Sequence, residues 1–391
     1  MGAKLPTAGG DKDSAALDDA LGELLGLEDV PDIIAVGSQE SGALPAWEQM
    51  VLERLGDGYH LVGRQTLGAL GLMVFTSAEL HGRVGTVAAD SVLAGAKQTV
   101  NFTATKGGVG ISVALRGGPR LLFVNSHLTA QVRNVQQRND DYHTIKRGLL
   151  RRALSNFKTA TEAAGGSAGH HWHRPRDATK GHDLTIWLGD LNYRIMANRD
   201  AADRALSLGL PEVLLGNDQL RREQRHRRAF VHFQEGGIEF PPTYKYDPGT
   251  DKYDTSKKAR VPSWTDRILF KTEHRLRGHE PVVKRYTCVS ALKSSDHRPV
   301  VATLEVGLAP WEHARHDGAG GERGRSGAGW QTRRVLWCMW PVRVHRRRVS
   351  QMPMASRKIR GRIAPEVIPP SLDTASTAVV VEQSPEAERS S

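Results

Sequence analysis

Leu184-Thr185-Ile186-Trp187-Leu188-Gly189-Asp190-Leu191-Asn192-Tyr193-Arg194 falls into two halves. The first five residues are an apolar, β-favouring run, which predicts a buried strand. Asp190 and Asn192 then follow two apart, so on an extended segment they project to the same side. The design occurs twice more upstream. Ile33-Ile34-Ala35-Val36 runs into Gly37-Ser38-Gln39-Glu40, and Leu121-Leu122-Phe123-Val124 runs into Asn125-Ser126-His127. Each apolar strand delivers a polar residue at its C-terminal end, which is how rigid scaffolds usually support sites. Two later segments share the character: Arg260-Val261-Pro262-Ser263-Trp264-Thr265-Asp266-Arg267-Ile268-Leu269 and Ser294-Ser295-Asp296-His297-Arg298-Pro299-Val300.

Further strands are predicted at Leu72–Phe75, Val109–Leu115, Ile268–Lys271 and Val300–Val306. An apolar stripe of Leu17, Leu21, Leu24 and Leu25 predicts a helix over Ala15–Leu27, and a second helix is expected over Ala130–Phe157. Residues 1–14 read as a loose leader, 15–308 as the main folded domain, 161–182 as a surface insertion within it, and 309–391 as a basic, disordered tail. From Arg323 to Pro365 the tail carries twelve Arg or Lys and no acid, with Trp330, Trp337 and Trp340 among them.

The chain has 391 residues, 39% hydrophobic and 25% charged, which suits a soluble globular protein. Cys288 and Cys338 make no disulfide framework and no zinc spacing, so a reducing, cytoplasmic setting is the simpler reading. No apolar run approaches the roughly 18 residues of a membrane span, and Met1–Pro6 lacks a signal-peptide core. Pro6 stands where a myristoylation signal has Ser or Thr. A formal charge of +11 favours anionic partners without choosing among phosphoinositides, nucleic acid and an acidic membrane.

Glu40, at the end of its strand, is a carboxylate of the kind a hard cation such as Mg²⁺ prefers; the alternative is a surface acid. Asp190 and Asn192 can orient a water and hold a phosphate oxygen, or cap a loop as an Asx pair. His297, beside Asp296, belongs to a His–Asp arrangement that fixes ring orientation and charge. His170, His171 and His173 read as surface low complexity rather than a metal site. Thr105-Lys106-Gly107-Gly108 lacks the spacing of a P-loop.

Taken together, the segments around Asp190, Asp266 and His297 resemble the signature of the inositol polyphosphate 5-phosphatases, in the endonuclease/exonuclease/phosphatase superfamily. The resemblance covers roughly Pro31 to Val306. It implies a DNase I-like four-layer α/β sandwich, two mixed β-sheets packed face to face with helices outside. It implies Mg²⁺ held by Glu40 and Asp296, Asp190 as base on the attacking water, and Asn192 positioning phosphate. Asp266 would pair with His297 at the scissile phosphate, with His127 a second donor. Tyr244, Lys245, Lys258 and Arg260 would grip the neighbouring phosphate, and Lys106, Arg138 and Asn139 would sit at the rim. The implied reaction removes the 5-phosphate from a phosphoinositide, PtdIns(4,5)P2 or PtdIns(3,4,5)P3, or from a soluble inositol polyphosphate, with no nucleic acid partner. Gln39-Glu40 followed by Trp47-Glu48 resembles the subgroup that accepts phosphatidylinositol 3,4,5-trisphosphate.

The family's first strand, ending in Trp-Asn-Val-Asn, has no counterpart ahead of Glu40, so the first strand is missing. That departure keeps open a phosphoinositide-binding pseudophosphatase. The shared Asp-x-Asn and Asp-His elements keep open an abasic-site nuclease. The basic, Trp-bearing tail offers peripheral attachment to an anionic membrane, or is a disordered extension.

Overall fold

Every residue of Ile33–Gln39 (β1) is buried, and its side chains divide by parity between two cores. Ile33 and Ala35 join one apolar cluster, while Ile34 and Val36 join another. Alternation of this kind requires a strand covered on both faces. The computed structural model describes residues 11–41, 44–95, 105–150, 177–273, 276, 280–308 and 331–341, all within one unit, Met1–Arg348.

The remaining strands are Tyr59–Leu67 (β2), Leu70–Ser77 (β3), Val84–Leu93 (β4), Gly107–Leu115 (β5), Arg120–His127 (β6), Leu184–Asp190 (β7), Gln234–Glu235 (β8), Asp266–Thr272 (β9), Val282–Cys288 (β10), Val300–Leu308 (β11) and Gln331–Pro341 (β12). They form two six-stranded sheets, ordered β10-β11-β12-β1-β3-β2 and β4-β5-β6-β7-β9-β8. Both mix parallel and antiparallel pairs: β1 runs parallel to β12, and β6 parallel to β7. The helices are Asp11–Leu24 (α1), Leu44–Leu55 (α2), Ala78–His81 (α3), Val135–Gly148 (α4), Arg199–Ser207 (α5), Pro211–Leu215 (α6) and Gln219–Arg225 (α7).

Three cores account for the layers. Ile33, Leu72 and Val74 meet Val109, Phe123, Ile186 and Leu188 between the sheets. Outside the first sheet, Leu21 and Leu24 of α1 and Trp47 and Val51 of α2 cover Ile34, Val36 and Phe75. Outside the second, Tyr142 and Ile145 of α4 cover Leu122, Val124 and Trp187. This is the four-layer sandwich expected from the sequence.

Several boundaries differ from expectation. The helix of α4 is shorter than Ala130–Phe157; residues 151–157 lie outside the described chain, as does most of the 161–182 insertion. The end of that insertion is not surface, because Ala178, Thr179 and His182 are buried. The larger correction concerns the tail. Gln331–Pro341, assigned to it by charge, is a strand inside the first sheet. It pairs with β11 from Val300↔Met339 to Leu308↔Gln331 and with β1 from Ile33↔Val335 to Gln39↔Pro341. Hence the neighbour of β1 on the side away from β3 comes from later in the chain. Val335 enters the intersheet core and Leu336 the α1–α2 core, the same parity rule that β1 obeys.

His182 anchors the lip of β7. Its Nδ1–H donates to the Ala178 carbonyl (2.7 Å), and Nε2 lies 2.8 Å from Ser112 Oγ. Burial, reinforced by the charge of Arg120 and only partly opposed by the bond to Ala178, pulls its pKa down from 6.5 to about 4. A lowered pKa means that the unfolded chain binds the extra proton first. The contribution of neutral His182 to stability is therefore complete above about 6.5 and is lost as pH falls toward 4, up to about 3 kcal/mol. Unfolding titrations at pH 7 and 4.5 should show a steeper loss for the wild type than for His182→Gln; parallel losses would contradict this assignment.

Candidate active site

Inward-facing residues change character at the C-terminal edge of the intersheet layer. Along β6 the inward series is Phe123, Asn125, His127, and along β7 it is Ile186, Leu188, Asp190. Strand register then sets these groups side by side. His127 pairs with Asp190 across β6 and β7, and Asp190 with Asp266 across β7 and β9. Gly107, which follows Lys106, pairs with His127. One row across the sheet thus presents His127, Asp190 and Asp266. Gly189 makes the close approach possible: at φ 141° a Cβ there would lie 1.9 Å from the Ser126 carbonyl oxygen.

Asn125 binds the two sheets beneath this row. Its Nδ2 donates to the carbonyls of Ser38 (3.1 Å) and Gly71 (2.7 Å), and its Oδ1 accepts from Gln39 Nε2 (2.7 Å). Immediately beyond Gln39 the chain enters the left-handed region at Glu40 (φ 53°), a conformation that non-glycine residues adopt where the surroundings impose it. The Glu40 carboxylate then lies 3.8 Å from His127 Nε2, which is 3.4 Å from Asp190 Oδ2. Lys106 Nζ also contacts His127 Nε2.

Three charges are strongly perturbed. Burial would raise the Asp190 pKa, but the hydrogen bond and charge of His127, with His297 and Lys106, hold it well below the carboxylate range. Burial and the charge of Lys106 push His127 down, against Asp190 and Glu40. Burial also disfavours charged His297, yet the charge and hydrogen bond of Asp266, with Asp296 and Asp190, raise it to about 9. Asp266 sits 2.9 Å from His297 Nδ1 and accepts from Thr243 Oγ1 (2.6 Å) and Thr265 Oγ1 (2.9 Å). The imidazolium is thereby fixed by one nitrogen, leaving Nε2 as its other donor.

These groups line a cavity of about 560 Å³. Of the residues singled out by sequence, Glu40, Lys106, His127, Asp190, Asn192, Tyr244, Lys258, Arg260 and His297 face it. Asp266 stands behind His297, and buried Asp296 pairs with Lys245 at 3.7 Å. Asn192, which faces the cavity, also holds Asp190 directly. Its Nδ2 donates to Asp190 Oδ2 and to the Leu128 carbonyl (both 3.0 Å), so it positions the carboxylate.

Arg138 and Asn139 do not reach the rim. Both are buried on the inner face of α4. Arg138 donates to the Gln131 carbonyl (2.6 Å) and Gln219 Oε1 (2.5 Å), while Asn139 joins Tyr193 Oη and Glu223 (both 2.7 Å). They shape the loop that lines the cavity. Sequence reasoning gave no role to Arg194, whose guanidinium stacks on Tyr244 at 4.3 Å and bonds Asn192; its place at the end of the Asp190 segment was the available signal. The Tyr244 ring in turn lies 4.4 Å from that of His297.

Among the described residues no three of His, Cys, Asp and Glu form a group that could hold a metal ion. The donors present still suit Mg²⁺, which commonly takes one or two carboxylates and completes its shell with water and substrate phosphate. Glu40 and Asp190 are the carboxylates facing the cavity.

Residues 10–303 match the family model described as Endonuclease/Exonuclease/phosphatase family 2. The chain is 33% identical over 283 residues to the Type IV inositol polyphosphate 5-phosphatase 11 of Arabidopsis thaliana, spanning 72% of this chain and 76% of that one. It is 32% identical to the human phosphatidylinositol polyphosphate 5-phosphatase type IV, but spans only 41% of that protein's length. The inositol polyphosphate 5-phosphatase domain of SPsynaptojanin, solved with inositol (1,4)-bisphosphate and calcium ion, superposes with a TM-score of 0.59 at 29% identity, covering 82% of this chain and 80% of that one. A Cimex nitrophorin shares the fold alone, at 23% identity and a TM-score of 0.54 over 73% of this chain and 91% of that one; the fold by itself therefore decides no chemistry. Joined to the row of His127, Asp190 and Asp266, these matches place the chain in the endonuclease/exonuclease/phosphatase family and, within it, among the inositol polyphosphate 5-phosphatases.

Proposed function

We propose that this protein removes the 5-phosphate from a phosphoinositide or a soluble inositol polyphosphate, using Mg²⁺. The observation that carries the reading is the buried row of His127 and Asp190, with His297 held over the same cavity by Asp266. Asp190 stays ionised and is held by Asn192, so its carboxylate can align a water and take its proton. His297, charged below about 9, donates to phosphoryl oxygens. Lys106, Lys258 and Arg260 meet the remaining phosphate charge, and Tyr244, packed between Arg194 and His297, walls the inositol ring. A bound divalent cation would neutralise phosphoryl charge and assist the leaving oxygen, with Glu40, which faces the cavity, holding it. Inositol (1,4)-bisphosphate, the ligand of the SPsynaptojanin domain, is what loss of a 5-phosphate leaves from the 1,4,5-trisphosphate. PtdIns(4,5)P2 and PtdIns(3,4,5)P3 carry the same 5-phosphate, and acting on them would take the protein to a cytoplasmic membrane surface.

Inorganic phosphate release from both lipids, with Mg²⁺ and with EDTA, tests this reading. Release that EDTA abolishes is expected. Tight lipid binding without release at any Mg²⁺ concentration would favour the pseudophosphatase.

The activity should also carry a basic limb. His297 is raised above its ordinary 6.5, so the proton needed at the phosphate is present below about 9 and is lost as pH rises through that value. In a pH profile of kcat/KM, which reports the free enzyme, Asp266→Asn should move this limb toward neutral pH. A limb that does not move would remove Asp266 from that role.

A further inference from the structure

From residue 222 to 228 every exposed side chain is basic: Arg222, Arg225, His226, Arg227 and Arg228. The one acid in the run, Glu223, is buried, pairing with Arg228 (2.5 Å) and accepting from Asn139. Protein surfaces usually intersperse both signs of charge, so a run of one sign is informative. The neighbouring helix α4 adds little to oppose it, since exposed Asp140 is flanked by exposed Arg133 and Arg147.

The bases stand on rigid support. Asp218 caps α7 through the Arg221 backbone N–H (2.9 Å) and pairs with buried Arg267 (3.1 Å). The helix that carries them also begins beside the catalytic mouth. Gln219, the first residue of α7, donates from Nε2 to the Val132 carbonyl at 2.9 Å, and Val132 lines the cavity. Arg222 reaches Met196 Sδ at 3.5 Å. Val132 and Met196 are large apolar residues left 52% and 48% exposed. An arginine run that begins beside exposed Met196, on a helix whose first residue holds exposed Val132, matches the two features of an anionic bilayer surface, its charge and its apolar boundary.

We propose that this face, α7 and the residues that follow it with Val132 and Met196, docks the protein on an anionic bilayer and brings the cavity over a lipid headgroup. The inference rests on the phosphoinositide reading and adds the surface by which such a substrate would be approached. Attraction of this kind fades beyond a Debye length of about 10 Å at 0.1 M salt.

The test uses the full chain and two readouts. Binding is measured to phosphatidylcholine vesicles with and without phosphatidylserine, none containing phosphoinositide. Turnover is measured on a soluble inositol polyphosphate. Arg222→Gln, Arg225→Gln and Arg227→Gln together remove three exposed charges and leave the Arg228–Glu223 pair intact. The triple variant should lose on the order of 100-fold in binding to phosphatidylserine vesicles, with soluble turnover unchanged. The wild-type preference for phosphatidylserine should weaken as salt is raised. Unchanged vesicle binding in the triple variant overturns the proposal and assigns attachment to another surface. Binding of duplex RNA or DNA that the triple variant loses, with no affinity for vesicles, overturns it in favour of nucleic acid. Vesicle binding that depends on the three arginines, without turnover of any inositol phosphate, keeps the docking surface and defeats the proposed reaction instead.

Discussion

Asp190→Asn should fold and should lose about 10²- to 10⁴-fold in kcat, the range expected for removing a positioned base. The substitution keeps the shape of the side chain and the backbone register that pairs position 190 with His127 and Asp266. It removes the charge that faces His127, Lys106 and His297. A neutral amide takes no proton from water, and it no longer favours a charged His297. Asn192, which spends its Nδ2 hydrogens on Asp190 and the Leu128 carbonyl, has no free group to take over. Circular dichroism alongside a phosphate-release assay separates folding from chemistry. A folded variant with wild-type turnover would contradict the role of Asp190.

Ending the chain at residue 310 should remove the cooperative folded state, whereas ending it at 348 should preserve it. The difference contains β12. Without that strand β1 and β11 face one another as two unpaired edges in the middle of a sheet, with backbone donors and acceptors unsatisfied. Val335 and Leu336 leave two separate cores, at about 1.5–3 kcal/mol each. The ion pair of Arg333 with Asp32 (2.9 Å) and the bond from Asp32 N to the Arg334 carbonyl (2.8 Å) go as well. Folded domains are stable by only about 5–15 kcal/mol, so losses on this scale reach the whole margin. Soluble expression and thermal unfolding of the two truncations decide the matter. A 310-residue chain that melts with the same cooperativity and midpoint would show that β12 is dispensable.

Strands covered on both sides were the legible part of the fold. β1, β6 and β7 read as unbroken apolar runs because helices lie over one face and a second sheet over the other. β2 and β4 escaped notice because their residues are mostly half-buried or exposed and their sequences mix polar with apolar groups. β12 was hidden by Arg333, Arg334 and its basic flanks, although its run from Val335 to Trp340 has the composition of a core strand. Charge density describes a segment as a whole, whereas burial depends on parity.

The site divides along the same line. Glu40, His127 and Asp190 were legible because each ends or follows an apolar strand, Asp266 because it begins one, and His297 because it stands just ahead of one. Arg138 and Asn139, carried to the rim by the resemblance, instead turn inward on α4, where they satisfy buried polar groups. Asn125 went unassigned because an amide in mid-strand resembles a fault in the pattern. Its three hydrogen bonds across the two sheets show why it is there.

The account stands most directly on which phosphate leaves. Inositol 1,4,5-trisphosphate is incubated with the protein and Mg²⁺, and the product is identified by phosphorus NMR. The predicted result is the 1,4-bisphosphate, formed by the wild type, absent with EDTA and absent with Asp190→Asn. Loss of the 1- or 4-phosphate, or release of the 5-phosphate that Asp190→Asn sustains, would contradict it.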